Sequence, residues 1–459
     1  MKKIKVGLLP LYIKLYDDHG IKRSALDEFN ALVANKLESA GLEVITAPIC
    51  RIDSEFKDAV KSFESNGADA IITLHLAYSP SLESIDALSK TDLPIIVMDT
   101  TKDLSLSSEY SVAPISHNHG IHGVMDMCNL LKRRGKKYTV VAGHLDNSDV
   151  LERTVNCVKT AVSAKALSGS RVGRFGTSFD GMGDFIVSNE KLKERFGVEM
   201  VQITDKEMKD AVTSLTCDEI ANEIEYYKYN FEMSENVDEN ALVLAVKAAL
   251  ATRKIINEKK LDAFSVNFLD ISFNNLGNMP FIEACLQMQN GIGYAGEGDV
   301  LTASFVGALL KTFTDVSFVE IFCPDWKEDR LLISHMGEMN YGVSCVKPKF
   351  STGKFSYSEV GTMAKAVSGF KPGKAVYCSV FRVEGERFVL TVSDVSVEYV
   401  EGQVEGSIRG WIRPEMGIAE FLEKLSENGA IHHGFMVYDV DFKAMKTFGE
   451  ILGMEVIKI

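Results

Sequence analysis

Two rhythms of apolar residues alternate along the first two thirds of the chain. Lys5–Leu9, Glu43–Ile49, Ala70–Leu76, Leu93–Met98 and Tyr138–Ala142 are short, near-continuous apolar runs, the pattern of strands buried on both faces. Between them, Ser24–Ala40 (Leu26, Phe29, Leu32, Val33, Leu37), Ser54–Ser65, Gly120–Lys132 and Asp149–Lys165 carry helical spacing, and the first two stop at Gly41 and Asn66-Gly67. Buried strands separated by amphipathic helices predict a parallel sheet covered on both faces. Ligands of such sheets lie beyond the carboxyl ends of the strands. That position points to His75, Tyr78, Asp99, Thr100 and the loop Ser116–His122.

The small and polar run Ala166–Arg174 reads as a boundary, and a second α/β unit follows it. Its expected strands are Val172–Phe175, Val198–Gln202 and Ala263–Phe268. Its helices start at Lys206, Cys217 and Glu239, with another over Pro280–Gln289 and one capped by Asp299 that runs through Phe313. After about Val316 short alternating strands take over: Ser317–Phe322, Arg330–Ser334, Gly373–Val383, Arg387–Asp394, Ser396–Val400 and Gly406–Ile412. Such strands predict an antiparallel sheet or small barrel. A helix over Ile418–Ser426, the segment Gly429–Gly434, a last helix and a last strand complete the chain. Three domains are expected, 1–168, 169–315 and 316–459.

Composition narrows the function classes. The 459 residues are 46% hydrophobic and 25% charged, ordinary for a globular protein, and no apolar run is long enough to span a membrane. A net charge of −14 argues against nucleic acid, which is bound through Lys and Arg neutralising phosphates. None of the eight cysteines forms a C-x-x-C pair, most sit in apolar runs as expected buried thiols, and a cytoplasmic setting is expected. The apolar N-terminal stretch is short and soon acidic, a first strand rather than a signal peptide.

Candidate chemistry concentrates in Gly293–Met336. Glu297 lies between two glycines, Glu320 in SFVEIF, and His335 closes LLIS. Taken alone, the tetrapeptide Gly296–Asp299 reads more simply as a plain turn into a helix, with Asp299 as its N-cap. A carboxylate in SFVEIF is a strand-edge group or a buried ligand, since burial without a partner is costly. His432-His433 forms a pair, and in a strand only one imidazole would aim at a given site. Two glutamates and two histidines make a mixed nitrogen–oxygen set suited to Mn²⁺, Fe²⁺ or Co²⁺ rather than structural zinc or calcium. The glycine-rich segment Gly176–Gly183 matches neither the dinucleotide nor the phosphate-loop pattern.

GYAGEGDVLTA, then SFVEIF, LLISHM and GAIHHGF, resemble in order the metal-site segments of the L-arabinose isomerases; VVAGHLDN and His122-Gly123 are further matches, and L-fucose isomerases share the architecture more distantly. The resemblance implies an α/β fold of two Rossmann-like doubly wound domains and a C-terminal antiparallel β-barrel. It implies Glu297, Glu320, His335 and His433 as metal ligands, with Mn²⁺ the expected ion and Mg²⁺, Co²⁺ or Fe²⁺ as substitutes. It implies a homo-oligomer, trimer or hexamer, whose active site lies at a subunit interface and takes His122 from a neighbour. His119, Tyr12 and His432 join His122 as expected substrate contacts. His119 stands where the family has a glutamine, and the N-terminal loop LLPLYIKLYDDHG departs from the family pattern, which leaves the sugar open.

The expected activity is a metal-dependent aldose–ketose isomerisation through an enediolate, with Glu297 and Glu320 as acid and base. The substrate is expected to be a pentose, a 6-deoxyhexose or a modified hexose, and Lys14, Arg409 and Arg413 are cations able to read an anionic substituent. The alternatives are a metal-dependent epimerase or aldolase, and a non-catalytic sugar-binding protein on paired α/β domains.

Overall fold

The computed structural model describes residues 3–18, 23–106, 112–270, 278–354, 361–400 and 406–459. The chain divides into two compact units, Met1–Val162 with Lys443–Ile451, and Ser163–Phe442 with Leu452–Ile459.

The first unit is built on β1 (Lys5–Leu11), β2 (Glu43–Thr46), β3 (Ala70–His75), β4 (Ile95–Asp99) and β5 (Tyr138–Ala142). All pairings are parallel, in the order β2-β1-β3-β4-β5. Leu9, Leu11, Ile71 and Val97 of the sheet pack against Phe56 and Phe63 of the helix Asp53–Ser65. The helix Ser81–Lys90 was not expected from the sequence. It buries Ile85, Ala87 and Leu88, too few apolar positions to carry a helical period by themselves.

The second unit opens with β6 (Arg171–Phe175), β7 (Glu199–Ile203), the two-residue β8 (Glu232–Met233), β9 (Ala263–Val266) and β10 (Gly293–Gly296). Four of these form a parallel sheet, β10-β9-β6-β7. Thr204 and Thr216 start their helices through capping boxes with Glu207 and Glu219, which pair two otherwise orphaned backbone donors each. The helix Val300–Leu310 is buried along its whole length.

Then come β11 (Val316–Asp325), β12 (Arg330–His335), β13 (Lys349–Lys354), β14 (Thr362–Val367), β15 (Gly373–Val383), β16 (Arg387–Glu398), β17 (Ile408–Pro414), β18 (His433–Tyr438) and β19 (Glu455–Lys458). The order β15-β18-β11-β12-β17-β16 closes on itself through β15–β16, giving a six-strand antiparallel barrel with β19 added parallel to β16. The two strands expected at Arg387–Asp394 and Ser396–Val400 are one, because β16 pairs with β15 from Val383↔Arg387 to Gly373↔Val397 without interruption. β13 and β14, which the sequence reading passed over, form a small sheet with β8. Val319, Ile333, Ile408, Ile412 and Tyr377 are among the apolar side chains of the barrel core.

All eight cysteines are free thiols. Only Cys50, Cys157, Cys285 and Cys378 are buried, while Cys217 and Cys323 are exposed, so the expectation of mostly buried thiols holds for half of them.

Candidate metal centre

Three segments of the second unit meet at one point. β10 ends at Gly296, and Glu297 turns the chain in the left-handed region at φ 62°. That conformation costs a non-glycine residue about 1–3 kcal/mol, and such costs gather at functional sites. The turn is tied down on both sides: Glu297 N–H donates to Val266 O at 3.0 Å, and Glu297 O accepts from Phe179 N at 2.9 Å. Gly298 lets Thr177 approach, since a Cβ there would stand 2.5 Å from Thr177 O. The glycine-rich segment 176–183 is therefore a buttress of the Glu297 turn. The Asp270 carboxylate accepts from Thr177 N at 2.6 Å, an anion where a phosphate loop would hold phosphate.

The barrel supplies the rest. Glu320 on β11 is the direct cross-strand partner of His433 on β18 and of Ser334 on β12. A register shift between Ile321 and Cys323 follows at once, a bulge of the kind found beside active sites. Glu320 Oε1 lies 3.0 Å from His335 Nε2 and 3.2 Å from His433 Nε2. Glu297 Oε2 lies 3.5 Å from His433 Nε2 and 3.4 Å from His432 Nε2. Ligand atoms of Glu297, Glu320, His432 and His433 fall within 4.8 Å of one another, and His335 joins the group through Glu320. Gly296 keeps room for that imidazole, because a Cβ would sit 2.7 Å from His335 Cε1.

Each histidine is oriented by a carboxylate on its other nitrogen. Nδ1 of His335 meets Glu338 Oε2 at 2.6 Å, that of His433 meets Asp299 Oδ2 at 2.8 Å, and that of His432 meets Asp184 Oδ2 at 2.7 Å. Metal-ligating histidines characteristically carry such partners. Asp299 works twice, since its other oxygen caps the helix through Thr302 N at 2.9 Å. Tyr294 O–H and Gly337 N–H donate to the Glu338 carboxylate. Phe318 presents its ring edge-on to His335 and His433, and Phe185 stacks on His433.

Three buried atoms facing this point, Glu320 Oε1, His335 Nε2 and His433 Nε2, make no hydrogen bond. Buried polar atoms are rarely left so. They converge without satisfying one another, as the donor set of a cation does. Burial pushes the Glu297 carboxyl up, but the hydrogen bond from His432 and the imidazole of His433 beside it outweigh it and hold it at about 2. Burial also opposes ionisation of Glu320, and the charge of His335 beside it overcomes it, so this carboxyl too lies below the usual range. Burial lowers His335, but Glu338 and Glu320 raise it to about 10. The pocket thus keeps its carboxylates ionised and is fitted for positive charge.

Glu297, Glu320, His335 and His433 are thereby brought together. The sequence expectation that only one of His432 and His433 aims at a given site is overturned. His432 precedes β18, so strand alternation does not apply to it, and both imidazoles turn to Glu297. Asp184 and Glu338 were missed, and Asp299 was read only as a cap. The spacing His335-x-x-Glu338 was a signal for one of them; nothing in the sequence marked Asp184. The other expected contacts lie in the first unit. The rings of His119 and His122 lie tilted to one another with centroids 4.2 Å apart, each 6.2 Å from Tyr78. Tyr16 O–H lies 3.4 Å from His119 Nδ1, and Tyr12 is buried against Tyr16 with its hydroxyl unpartnered.

Residues 171–315 match the L-arabinose isomerase central domain, and residues 315–455 the L-arabinose isomerase C-terminal domain. The chain belongs to the L-arabinose isomerase family. It is 23% identical to an L-arabinose isomerase of Aeromonas salmonicida, over 100% of this chain and 95% of that protein. It is 22% identical to those of Shouchella clausii, over 95% and 92%, and Bacillus subtilis, over 92% and 87%. Membership makes the chain an enzyme of the intramolecular oxidoreductase class, an aldose–ketose isomerase acting on sugars. The alternative of a non-catalytic sugar-binding protein falls with that. The family is metal-dependent, and the group around Glu297 is the candidate site. No described helix is long and apolar enough to cross a membrane.

Proposed function

We propose that the chain isomerises an aldose to its ketose with a divalent cation, Mn²⁺ by preference, held by Glu297, Glu320, His335 and His433. The observation that carries this reading is the convergence of three buried, unpartnered ligand atoms, two of them on imidazoles fixed from behind by carboxylates. His335 is preferred to His432 as the fourth ligand. It is buried and its Nε2 makes no hydrogen bond, whereas the His432 side chain is 37% exposed and both of its nitrogens are engaged. His432 is left to face the sugar.

A divalent cation here supplies Lewis acidity towards neighbouring sugar oxygens, easing the charge that builds when the C2 proton leaves. One of Glu297 and Glu320 takes that proton and exchanges it with solvent, and the pair delivers a proton to C1, while the hydroxyl proton of O2 passes to O1. The flanking imidazoles favour the ionised carboxylates needed for the first transfer. Tyr12, His119 and His122 stand in the first unit as further sugar contacts. A homo-oligomer in which a neighbour contributes them belongs to this reading, as do the domain limits 1–168, 169–315 and 316–459.

Exhaustive chelation followed by Mn²⁺ addition tests the proposal. Ketose formation should vanish and return, and turnover in D₂O should place deuterium at C1 of the ketose. Full activity after the last traces of metal are removed would defeat it. Deuterium with inverted C2 and no ketose would favour the epimerase alternative.

A further inference from the structure

A second feature of the same unit bears on which sugar is taken. Cross-strand partners project to the same face of a sheet. Glu320 on β11 is opposite Ser334 on β12, and Ser334 is opposite Arg409 on β17. Arg409 therefore continues the row that begins with His433 and Glu320, two strand spacings or about 10 Å along from Glu320. A cavity of about 570 Å³ opens over that end of the row, with His335 and Ser334 in its wall. Its size is that of a small-molecule site, for which ~300–1,000 Å³ is usual.

Three cations line it, Lys354, Lys365 and Arg409, and no carboxylate does among the described residues. In a chain with 64 acidic and 50 basic residues this is a local reversal of sign. None of the three is in an ion pair among the described residues, although Lys and Arg elsewhere in this chain are widely paired. Arg409 Nε donates to Ser407 Oγ at 2.8 Å, and Lys365 Nζ to Gly406 O at 2.6 Å, so both are held by neutral groups. Burial and then the neighbouring Arg409 push the Lys365 amine down, the mark of two like charges without a counter-ion. Arg413 behaves differently. It is paired with Glu398 at 2.7 Å and donates to the carbonyls of Glu328 and Asp329, which makes it a structural residue.

We propose that this cavity seats an oxyanion group on the sugar, a phosphate, sulfonate or carboxylate at the end remote from the reacting carbons, bound by Arg409 and Lys365. The inference rests on the isomerase reading above and extends it from a sugar to an anionic sugar. The guanidinium offers the planar fork that matches such a group. His335, shared by the cavity wall and the metal set, joins the binding end to the reacting end. A neutral aldose would leave the two cations facing each other without compensation.

The test uses the full-length, Mn²⁺-loaded protein and matched sets of D-glucose, D-mannose and D-galactose, each as the free sugar, the 6-phosphate, the 6-sulfonate and the 6-carboxylate. In at least one set the anionic member should exceed its neutral partner at least 100-fold in kcat/KM. Arg409→Gln and Lys365→Met should each cut that ratio at least tenfold, while Arg413→Gln leaves it as it was. Preference for the neutral member in every set would overturn the anion inference and leave the isomerase reading standing. A ratio unaffected by both substitutions would do the same. If no member is turned over, the isomerase reading is in question, and calorimetric binding of the same compounds decides the anion site by itself. Anionic members should then bind at least tenfold tighter, and lose that margin in Arg409→Gln; equal binding overturns the site.

Discussion

Two buried clusters of charge among the described residues of the second unit are built on opposite plans. In one, Arg253 on the helix Glu239–Lys259 reaches Glu283 at 2.7 and 2.9 Å and Glu223 at 2.8 and 3.1 Å. Glu283 has no exposure at all and is further bonded by Gln287. Four of the five guanidinium N–H donors meet carboxylate oxygens. In the other, around Glu297 and Glu320, His335 and His433 are matched on one nitrogen and make no hydrogen bond on the nitrogen that points inwards. A buried charge that is fully paired has settled its desolvation locally and ties helices together. A buried set satisfied only from behind is held ready for something not supplied by the chain. The number of charges does not separate the two clusters; the direction of the unmet hydrogen-bonding capacity does.

The largest effects should come from the open cluster and leave the fold alone. Glu320→Gln and Glu297→Gln should each lower kcat about 10³-fold or more, the scale of a lost acid–base group, with an unchanged circular dichroism spectrum. Wild-type rates in both variants would remove these residues from the chemistry. The closed cluster should behave in reverse. Arg253→Met leaves two buried carboxylates unpaired and should cost about 3–5 kcal/mol of stability, read as a lower urea midpoint, with Mn²⁺ affinity per folded molecule unaltered. Unchanged stability would mean that Arg253 does not tie its helices together.

Smaller effects are expected behind the open cluster. Asp299→Asn retains an oxygen for Thr302 N–H and so keeps the helix cap, but puts an amide against His433 Nδ1. It and Glu338→Gln should weaken Mn²⁺ binding by ~10–100-fold with little change in melting temperature. Calorimetric titration that finds wild-type affinity in both would show that the carboxylates do not set the imidazoles.

The smallest effect belongs to a third kind of buried ionisable group, one with neither partner nor evident site. His75 ends β3, both of its nitrogens are unbonded, and Gly120 and Gly123 bring the helix Gly120–Arg133 close onto it. Burial pushes its pKa down to about 3, only partly opposed by Asp126. An unfolded histidine titrates near 6.5, so between about 3 and 6.5 the unfolded chain binds the extra proton. Stability from this group is therefore complete above about 6.5 and lost as pH falls towards 3. Urea midpoints at pH 4.5 and pH 7 should differ less in His75→Gln than in the wild type; an identical difference would show that His75 stays neutral in neither state or in both.

Much of this was readable from the residues in order. Continuous apolar runs separated by helical periods predicted the parallel sheets, because a strand buried on both faces has no polar alternation to show. The switch to short alternating strands after Val316 predicted the barrel. Glu297 stood out because two glycines flank it, and the left-handed turn it makes is what such a flank allows. Glu320, His335 and His433 were recoverable from ordered resemblance, although their spacing alone carries no metal pattern. Helix Ser81–Lys90 and strands β13 and β14 were not, since short elements with few apolar positions are stabilised by what packs on them.

Partnership across the chain exists only in the folded molecule. Asp184 is 248 residues from His432 and Asp299 is 134 from His433, and no local period links them. The row His433–Glu320–Ser334–Arg409 exists only once strand register is set, for pairing is chosen by the whole barrel and one residue of slip would turn each side chain to the other face. Which residues could hold a cation, and which elements carry them, follows from the order of residues alone, because burial periodicity and turn chemistry are local. Folding decided which of those residues face one another, and so why the cations Arg409 and Arg413, only four positions apart, stand one beside the cavity and the other in an ion pair.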